Sequence, residues 1–389
     1  MRDTLSRIIT DQWFAPKNSS ELSVSALGIK ALTAIANCVT EPLLKRRLEA
    51  ASDRKRGTND FSPPVIIVVG NLVVGGAGKT PLVAALAKLL AHHNYKVGLI
   101  VGGYKSLAWN CPALAIEGST AEQIGDEALL LTMQTGLPLA SGRDRTKALN
   151  ILINSNPQLN VILCDDGLQH RGLTRDVEIV VFDDRLIGNG KVLPSGPLRE
   201  PLGSLQSADF IAIAKGTKDA LVKAVGTSIN PKVQIVEQGW KLRGFIKLQA
   251  YLETLDQRTR NQNENENVDA ALITAPDMRA ILGVSKETAI AAAGLGNPAK
   301  FFKTLLEAGI NALPYPLPDH QAIKETWLVS QTSKPIIMTE KDAVKCGGYS
   351  QRAIKNCWVT VGEVAIDERF STELLDRLNT LLKRKLNNH

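Results

Sequence analysis

The sequence predicts an α/β protein built on a mostly parallel sheet, and two observations carry that expectation. From Pro63 onward, short β-branched runs alternate with stretches of helical periodicity, the pattern of strands joined by crossover helices. The alternation resumes after a polar interruption, so a second, smaller α/β domain is expected behind the first. The 389 residues leave room for both, at roughly 100 to 200 residues per domain. With 44% hydrophobic and 22% charged residues, the composition excludes both a disordered tail and a membrane bundle.

Residues 1–60 differ in character from the rest of the chain. A mostly apolar stretch, Leu22 to Val39, is broken by Ser23, Ser25, Lys30 and Asn37, and is followed by Lys45-Arg46-Arg47 and Arg54-Lys55-Arg56. The interruptions argue against a spanning helix of about 20 apolar residues. They fit an amphipathic helix lying in a membrane interface, with a helical arm packed on the protein's own core as the alternative. Asp11, Lys17 and Glu21 precede the apolar part, which is wrong for a cleaved signal peptide. Residues 61–216 are expected to form the core domain, with strands in VIIVVG, KVGLIVGG, NVILCDD, VEIVVFD and FIAIAKG. Helices are expected from about Pro81 and over Arg145 to Ile153. Residues 217–389 open less regularly and hold the polar run NQNENEN near 261–267, read as a loop. Then AIAAAGLGN reads as strand and turn, FFKTLLEAG as a helix stopped by Gly309, PIIMTEKDAVK as strand into helix, and CWVTVGEV as a strand.

Charge and cysteine usage narrow the partners. Lys and Arg outnumber Asp and Glu by 46 to 39, a net charge of +7, which favours anionic partners: nucleic acid, phosphorylated small molecules or an acidic membrane surface. Aromatic residues make up only 5% and no RNA- or DNA-binding module is recognisable, so nucleic acid ranks low. Cys38, Cys111, Cys164, Cys346 and Cys357 are odd in number and include no CxxC pair, so neither a zinc knuckle nor a disulfide framework is indicated and a reducing compartment is the simpler reading. Cys164 reads as a small core residue, and His92-His93 as surface residues.

The strongest local signal is VIIVVGNLVVGGAGKTPL, a buried strand running through glycines into a helix. This is the context of a phosphate loop and makes the fold P-loop NTPase-like. Gly75, Gly76, Ala77 and Gly78 supply the backbone cradle, Lys79 a charge for the transferred phosphate, and Thr80 a hydroxyl for Mg2+. Val73 stands where the strict pattern has glycine. A second metal-side carboxylate is expected at the end of another strand, and NVILCDD places Asp165 and Asp166 there, leaving open which meets the metal more directly. AKGTKD does not fit a guanine-reading motif, so ATP is the expected nucleotide.

Taken together, GNLVVGGAGKTP, GDE at Gly125 to Glu127, DDGLQHRGLTRD from Asp165, GNGKVLPSGPLREPL from Gly188, GLGNPAKFF from Gly294, PDH at Pro318 to His320 and TEKDAVK from Thr339 resemble the tetraacyldisaccharide 4'-kinase family. The resemblance implies transfer of the γ-phosphate of ATP to the 4'-hydroxyl of a tetraacyldisaccharide 1-phosphate, forming lipid IVA in lipid A biosynthesis. It also implies an acylated disaccharide lipid substrate and work at the cytoplasmic face of the bacterial inner membrane, as a peripheral or monotopic protein. By the same resemblance Asp126 deprotonates the acceptor hydroxyl and His320 supports it, while Lys79 and Thr80 hold phosphate and Mg2+. Asp165, Asp166, Gln169 and His170 serve metal binding and alignment near the phosphates. Glu127, Arg199, Glu200, Glu340, Lys341 and Asp342 are motif positions without assigned individual roles. Closure of a cleft between the two domains is expected to bring His320 to Asp126 and exclude water. Val73 and Ala77 depart from hydroxyl residues common in the family, which bears on nucleotide affinity. Two rival functions, an ATPase switch driven by a protein partner and a membrane scaffold with a vestigial nucleotide site, predict no transfer to lipid.

Overall fold

Runs of Val, Ile and Ala with no polar alternation form strands only where both faces are covered, and these runs do so here. The computed structural model describes residues 13–14, 63–170, 172–260, 271–284 and 288–387. Most of the expected membrane-surface region, 1–60, and the polar run 261–267 lie outside the described residues. In chain order the strands are β1 (Val65–Gly70), β2 (Val97–Val101), β3 (Ala113–Leu114), β4 (Leu139–Ser141), β5 (Val161–Asp165), β6 (Val177–Phe182), β7 (Phe210–Ala214), β8 (Gln234–Lys247), β9 (Ile290–Ala293), β10 (Leu313–Pro316), β11 (Ile336–Thr339) and β12 (Cys357–Ala365). Helices that position the site or the core are α1 (Lys79–His92), α2 (Asp126–Thr135), α3 (Arg145–Ser155), α4 (Pro298–Glu307), α5 (Glu340–Ala343) and α6 (Glu368–Asn387). No helix among the described residues is long and apolar enough to cross a membrane.

The chain forms two compact units that interleave in sequence. One draws on Met1–Lys79, Asp166–Gly239 and Asp367–His389, the other on Thr80–Asp165 and Trp240–Ile366. In the first, β1 pairs in parallel with β6, β6 with β7, and β7 with the start of β8. Every residue of β1 and β6 is buried. The amphipathic α6 buries Phe370, Leu374 and Leu378 at helical spacing, with Phe370 edge-on to Phe210 at 5.0 Å. Near its end Lys385 donates to the Pro64 carbonyl and to Asp176 Oδ2, both at 2.7 Å.

In the second unit β2 lies between β5 and β4 in parallel, with the short β3 antiparallel to β4. Further along the chain β9 pairs in parallel with β10 and β11, and β11 with β12. Phe245, Met278, Phe301, Leu305, Ile337 and Trp358 pack into a core against these strands. Local signals explain the helix bounds. Leu82, Val83, Leu86, Ala87 and Leu90 form the buried stripe of α1. Asp144 caps α3 by accepting from the N–H groups of Thr146 and Lys147, both at 3.1 Å. Pro298 opens α4, and Gly309, left-handed at φ 74°, follows its end.

The expected strands and helices from Val65 to Ala214 and from Ala289 to Val364 are all present. The stretch expected to be less regular is more ordered than its composition announced: it holds a helix, Lys218–Val225, and the long β8. Residues of β8 up to Arg243 are only partly buried, so its Gln, Glu and Lys positions gave no apolar run to read. Pro314 and Pro316 hid β10, which among the described residues pairs with β9 alone and tolerates proline as an edge strand. His92 and His93 are exposed, Cys164 is buried, and the described cysteines are free.

At the end of β1 a Cβ on Gly70 would lie 2.6 Å from Leu168 Cγ and 3.1 Å from its Cβ, well inside contact distance. Gly70→Ala is therefore expected to overpack this junction and lower stability by about 1–3 kcal/mol in urea unfolding. An unchanged midpoint would show that Leu168 is free to give way.

Candidate active site

Side-chain hydrogen bonds hold the turn after β1. Asn71, fully buried, donates to the Val73 carbonyl and, at 3.5 Å, to that of Gly75, and accepts from Lys79 Nζ at 3.0 Å. Gly75 and Gly78 hold left-handed backbone, φ 97° and 79°, which side chains disfavour. Beside the Cα of Gly76 and of Gly78 there is open space, as a loop that receives phosphate requires. Val73, the departure from the glycine pattern, is buried and bridges Leu198, while the Val74 N–H donates to the Pro197 carbonyl at 2.9 Å. That position secures the loop against the PSGPLREP segment. Arg185 braces the loop by donating to the Gly76 carbonyl at 3.4 Å while paired to Asp183 at 2.6 Å.

Lys79 also lies 3.5 Å from Asp166 Oδ1. Asp166, itself left-handed at φ 50°, accepts from Arg199 with both oxygens at 3.0 Å. Arg199 reaches Gln169 Oε1 at 3.3 Å, and Gln169 donates to the Asn71 carbonyl at 3.4 Å. The structure thus brings Lys79, Asp166, Gln169 and Arg199 into one network. His170 contributes its backbone carbonyl to Arg175 at 2.9 Å.

Thr80, next in the chain to Lys79, donates from Oγ1 to Asp165 Oδ2 at 2.7 Å. Asp165 is 1% exposed, and the buried Arg145 donates to its carbonyl at 3.3 Å. A hydroxyl and a carboxylate oxygen held together are hard donors of the kind that suits Mg2+. Asp166 instead spends its oxygens on two cations. No group of three or more His, Cys, Asp or Glu side chains suited to a metal gathers among the described residues, so an all-protein metal cage is not the design there.

The second cluster lies wholly within the unit containing Thr80–Asp165 and Trp240–Ile366. Asp126 opens α2 and is 7% exposed. His320 Nδ1 sits 3.0 and 3.1 Å from its two carboxylate oxygens, and the Glu127 N–H donates to Oδ1 at 2.9 Å. This pair is already made inside one unit, whereas the sequence predicts that domain closure creates it. Tyr104, on the turn after β2, sets its ring edge against His320 at 5.2 Å. Lys341 Nζ lies 3.9 Å and Lys345 Nζ 4.0 Å from Asp126 Oδ2. Burial pushes the Asp126 carboxyl up, but the His320 hydrogen bond and the charges of Lys341, His320 and Lys345 outweigh it and hold it below the ordinary carboxylate value. Lys341 loses by burial and gains more from Glu127, Asp126 and Asp319, so it stays charged. Glu340 behaves oppositely: burial pushes its carboxyl up despite bonds from Gln134 at 3.0 Å and Tyr251 at 3.1 Å, the pattern of a structural anchor.

Sequence reasoning passed over Asn71, Arg185 and Lys345. Asn71 and Lys345 lay inside quoted motifs with nothing in residue type or spacing to show their contacts, and Arg185 lay outside them. Pairs such as Lys345 with Asp126 join distant segments and exist only in the fold.

The family model for tetraacyldisaccharide-1-P 4'-kinase matches residues 29–379. A tetraacyldisaccharide 4'-kinase of Nitrosococcus oceani is 35% identical over 326 residues, 84% of each chain. One of Dechloromonas aromatica is 38% identical over 288 residues, 74% of this chain and 77% of the relative. Among solved structures, LpxK from Aquifex aeolicus in complex with ATP covers 90% of this chain and 98% of its own, with a TM-score of 0.63 and 23% identity, a likeness of fold.

Because the Asp126 carboxyl is held below its ordinary value of 3.8, its pairing contributes stability that is fully present above that pH and is lost as pH falls through the folded value. Asp126→Asn is expected to cost about 1–3 kcal/mol in urea unfolding at pH 7, with the gap to wild type narrowing below pH 4. An equal gap at both pH values would contradict the ionised pair.

Proposed function

Since the chain belongs to the tetraacyldisaccharide-1-P 4'-kinase family, we propose how its residues divide the work of phosphate transfer to the 4'-hydroxyl of the acylated disaccharide in lipid A biosynthesis. The observation that carries the assignment is the buried Asp126–His320 pair. A sugar hydroxyl is a weak nucleophile at neutral pH, and a carboxylate kept ionised and oriented beside it is the group that raises its reactivity.

ATP is the phosphate donor in this proposal. The backbone of Gly75, Gly76, Ala77 and Gly78 receives its phosphates, and Lys79 offsets the charge on the transferred group. Lys79 is held ready by Asn71 and Asp166, so little reorganisation is needed when phosphate arrives. Arg199, paired with Asp166, is a second cation beside the same carboxylate. Thr80 and Asp165 would hold Mg2+, which when bound neutralises charge on the phosphate oxygens. As the new bond forms between the 4'-oxygen and the γ-phosphorus, the bond to the β–γ bridging oxygen breaks and ADP leaves with that electron pair. The hydroxyl proton passes to an Asp126 carboxylate oxygen, whose acceptor strength is matched to a hydroxyl that grows acidic only as the phosphorus bond forms. His320 orients the carboxylate through Nδ1.

The acceptor's acyl chains favour a bilayer, and the apolar and basic groups of residues 1–60 fit an interfacial anchor beside anionic lipid. We place the enzyme on this ground at the cytoplasmic face of the bacterial inner membrane.

The test is transfer from γ-labelled ATP to detergent-dispersed tetraacyldisaccharide 1-phosphate, with Mg2+ present or chelated. Lys79→Ala is expected to lower transfer by about 10²–10³-fold, and Asp126→Asn to lower kcat by about 10²–10⁴-fold. Labelled inorganic phosphate alone, indifferent to lipid, would sink the reading in favour of an ATPase.

A further inference from the structure

The segment TEKDAVK that follows β11 does more than complete a strand-to-helix turn. Thr339 caps α5, with its hydroxyl accepting from the Asp342 N–H at 3.2 Å, and Asp342, fully buried, accepts from the Gly294 N–H at 3.0 Å. This fixes α5 and the turn after it, from which Lys341 and Lys345 project one helical turn apart. The Lys341 ammonium lies 3.1 Å from Glu127 Oε1 and 3.2 Å from Asp319 Oδ1. Each of these partners is the chain neighbour of one member of the dyad: Glu127 follows Asp126, and Asp319 precedes His320. Lys345 donates to the Gln321 carbonyl at 3.2 Å, on the other flank of His320, and pairs with Asp342 at 2.9 Å.

His320 needs such support, because it holds left-handed backbone, φ 65°, without being glycine. Its flanks are thus tied by two ammonium groups from a single segment. The charges about Asp126 are His320, Lys341, Lys345, Glu127, Asp319 and Asp342. Lys105 adds a contact to the Asp319 carbonyl at 3.5 Å. Without Lys341, carboxylates would crowd Asp126 with a single ammonium left within 4 Å of it.

We propose that Lys341 is a positioning residue for phosphate transfer: with Lys345 it holds the His320 turn against α2 and balances the carboxylates around Asp126. The inference rests on Asp126 being the proton acceptor. In this role Lys341 acts through the dyad, by its contacts to Glu127 and Asp319 on the dyad's flanks.

The experiment compares pH–rate profiles of wild type, Lys341→Met, Lys341→Arg and Asp126→Asn in the lipid transfer assay, with thermal unfolding to confirm that each protein is folded. Lys341→Met is expected to lower kcat about tenfold, leave KM for ATP within about twofold, and move the acid limb of kcat/KM up by about one pH unit. Lys341→Arg keeps the charge and is expected to restore the limb and most of kcat. A folded Lys341→Met protein whose limb stays in place, whatever its rate, overturns the positioning role. If Lys341→Met does not fold, Glu127→Gln takes its place as the charge test: removing a carboxylate beside Asp126 should move the limb down, and an unmoved limb overturns the role equally. Asp126→Asn separates the two readings, since substantial turnover there removes the proton acceptor itself, whereas an inactive Asp126→Asn beside an unmoved Lys341→Met limb removes only the inference about Lys341.

Discussion

A carboxylate withdrawn from water must be matched by charge or it takes up a proton, and much of the second cluster is arranged around that constraint at Asp126. The residue is 7% exposed, yet His320, Lys341 and Lys345 keep its carboxyl below the ordinary value. None of these partners is local: His320 is 194 positions away in the chain. The GDE start of α2, the PDH turn and the TEKDAVK segment therefore have to be folded together before Asp126 has its partners. Without those partners the carboxylate would be a buried unpaired charge.

Parallel strands make such an assembly possible. Asn71 follows β1, Tyr104 follows β2, Asp166 follows β5, Gly294 follows β9 and Glu340 follows β11. Where strands pair in parallel, as β1 with β6, β2 with β5 and β9 with β11 do, the turns at their carboxyl ends lie along the same edge, where chemistry can be placed on a rigid base. Asp166, after β5, and His320, after β10, adopt left-handed backbone that costs of order 1–3 kcal/mol for a non-glycine residue. Both are tied by charged partners, Asp166 by Arg199 and Lys79, and His320 through its flanking residues by Lys341 and Lys345.

Those tertiary ties mark the boundary of what could be read from the chain. Strands such as VIIVVG and VEIVVF were legible because burial on both faces leaves no polar residue to confuse the pattern. The phosphate loop was legible because glycine, lysine and threonine at fixed spacing have one dominant physical use. The long β8 was not, since a partly buried strand of mixed polarity resembles a loop in composition. Asp126 and His320 were marked by motif resemblance alone; composition would have left one as a surface acid and the other as a turn residue. The division between Asp165 and Asp166 was illegible in principle, since adjacent identical side chains differ only in where the backbone sends them. The structure sends Asp165 to the Thr80 hydroxyl and Asp166 to Lys79 and Arg199.

That division has a consequence for charge. Around Asp166 two cations face one carboxylate, so the phosphate-loop network keeps a positive excess and remains able to receive an anion. Around Asp126 the balance is reversed: the carboxylates of Asp126, Glu127, Asp319 and Asp342 outnumber the ammonium groups of Lys341 and Lys345. The sign of its charge suits the first network to an anionic ligand, and the second network lacks that excess. Lys341 keeps that second balance from tipping further, since its one ammonium pairs with both Glu127 and Asp319 and lies 3.9 Å from Asp126.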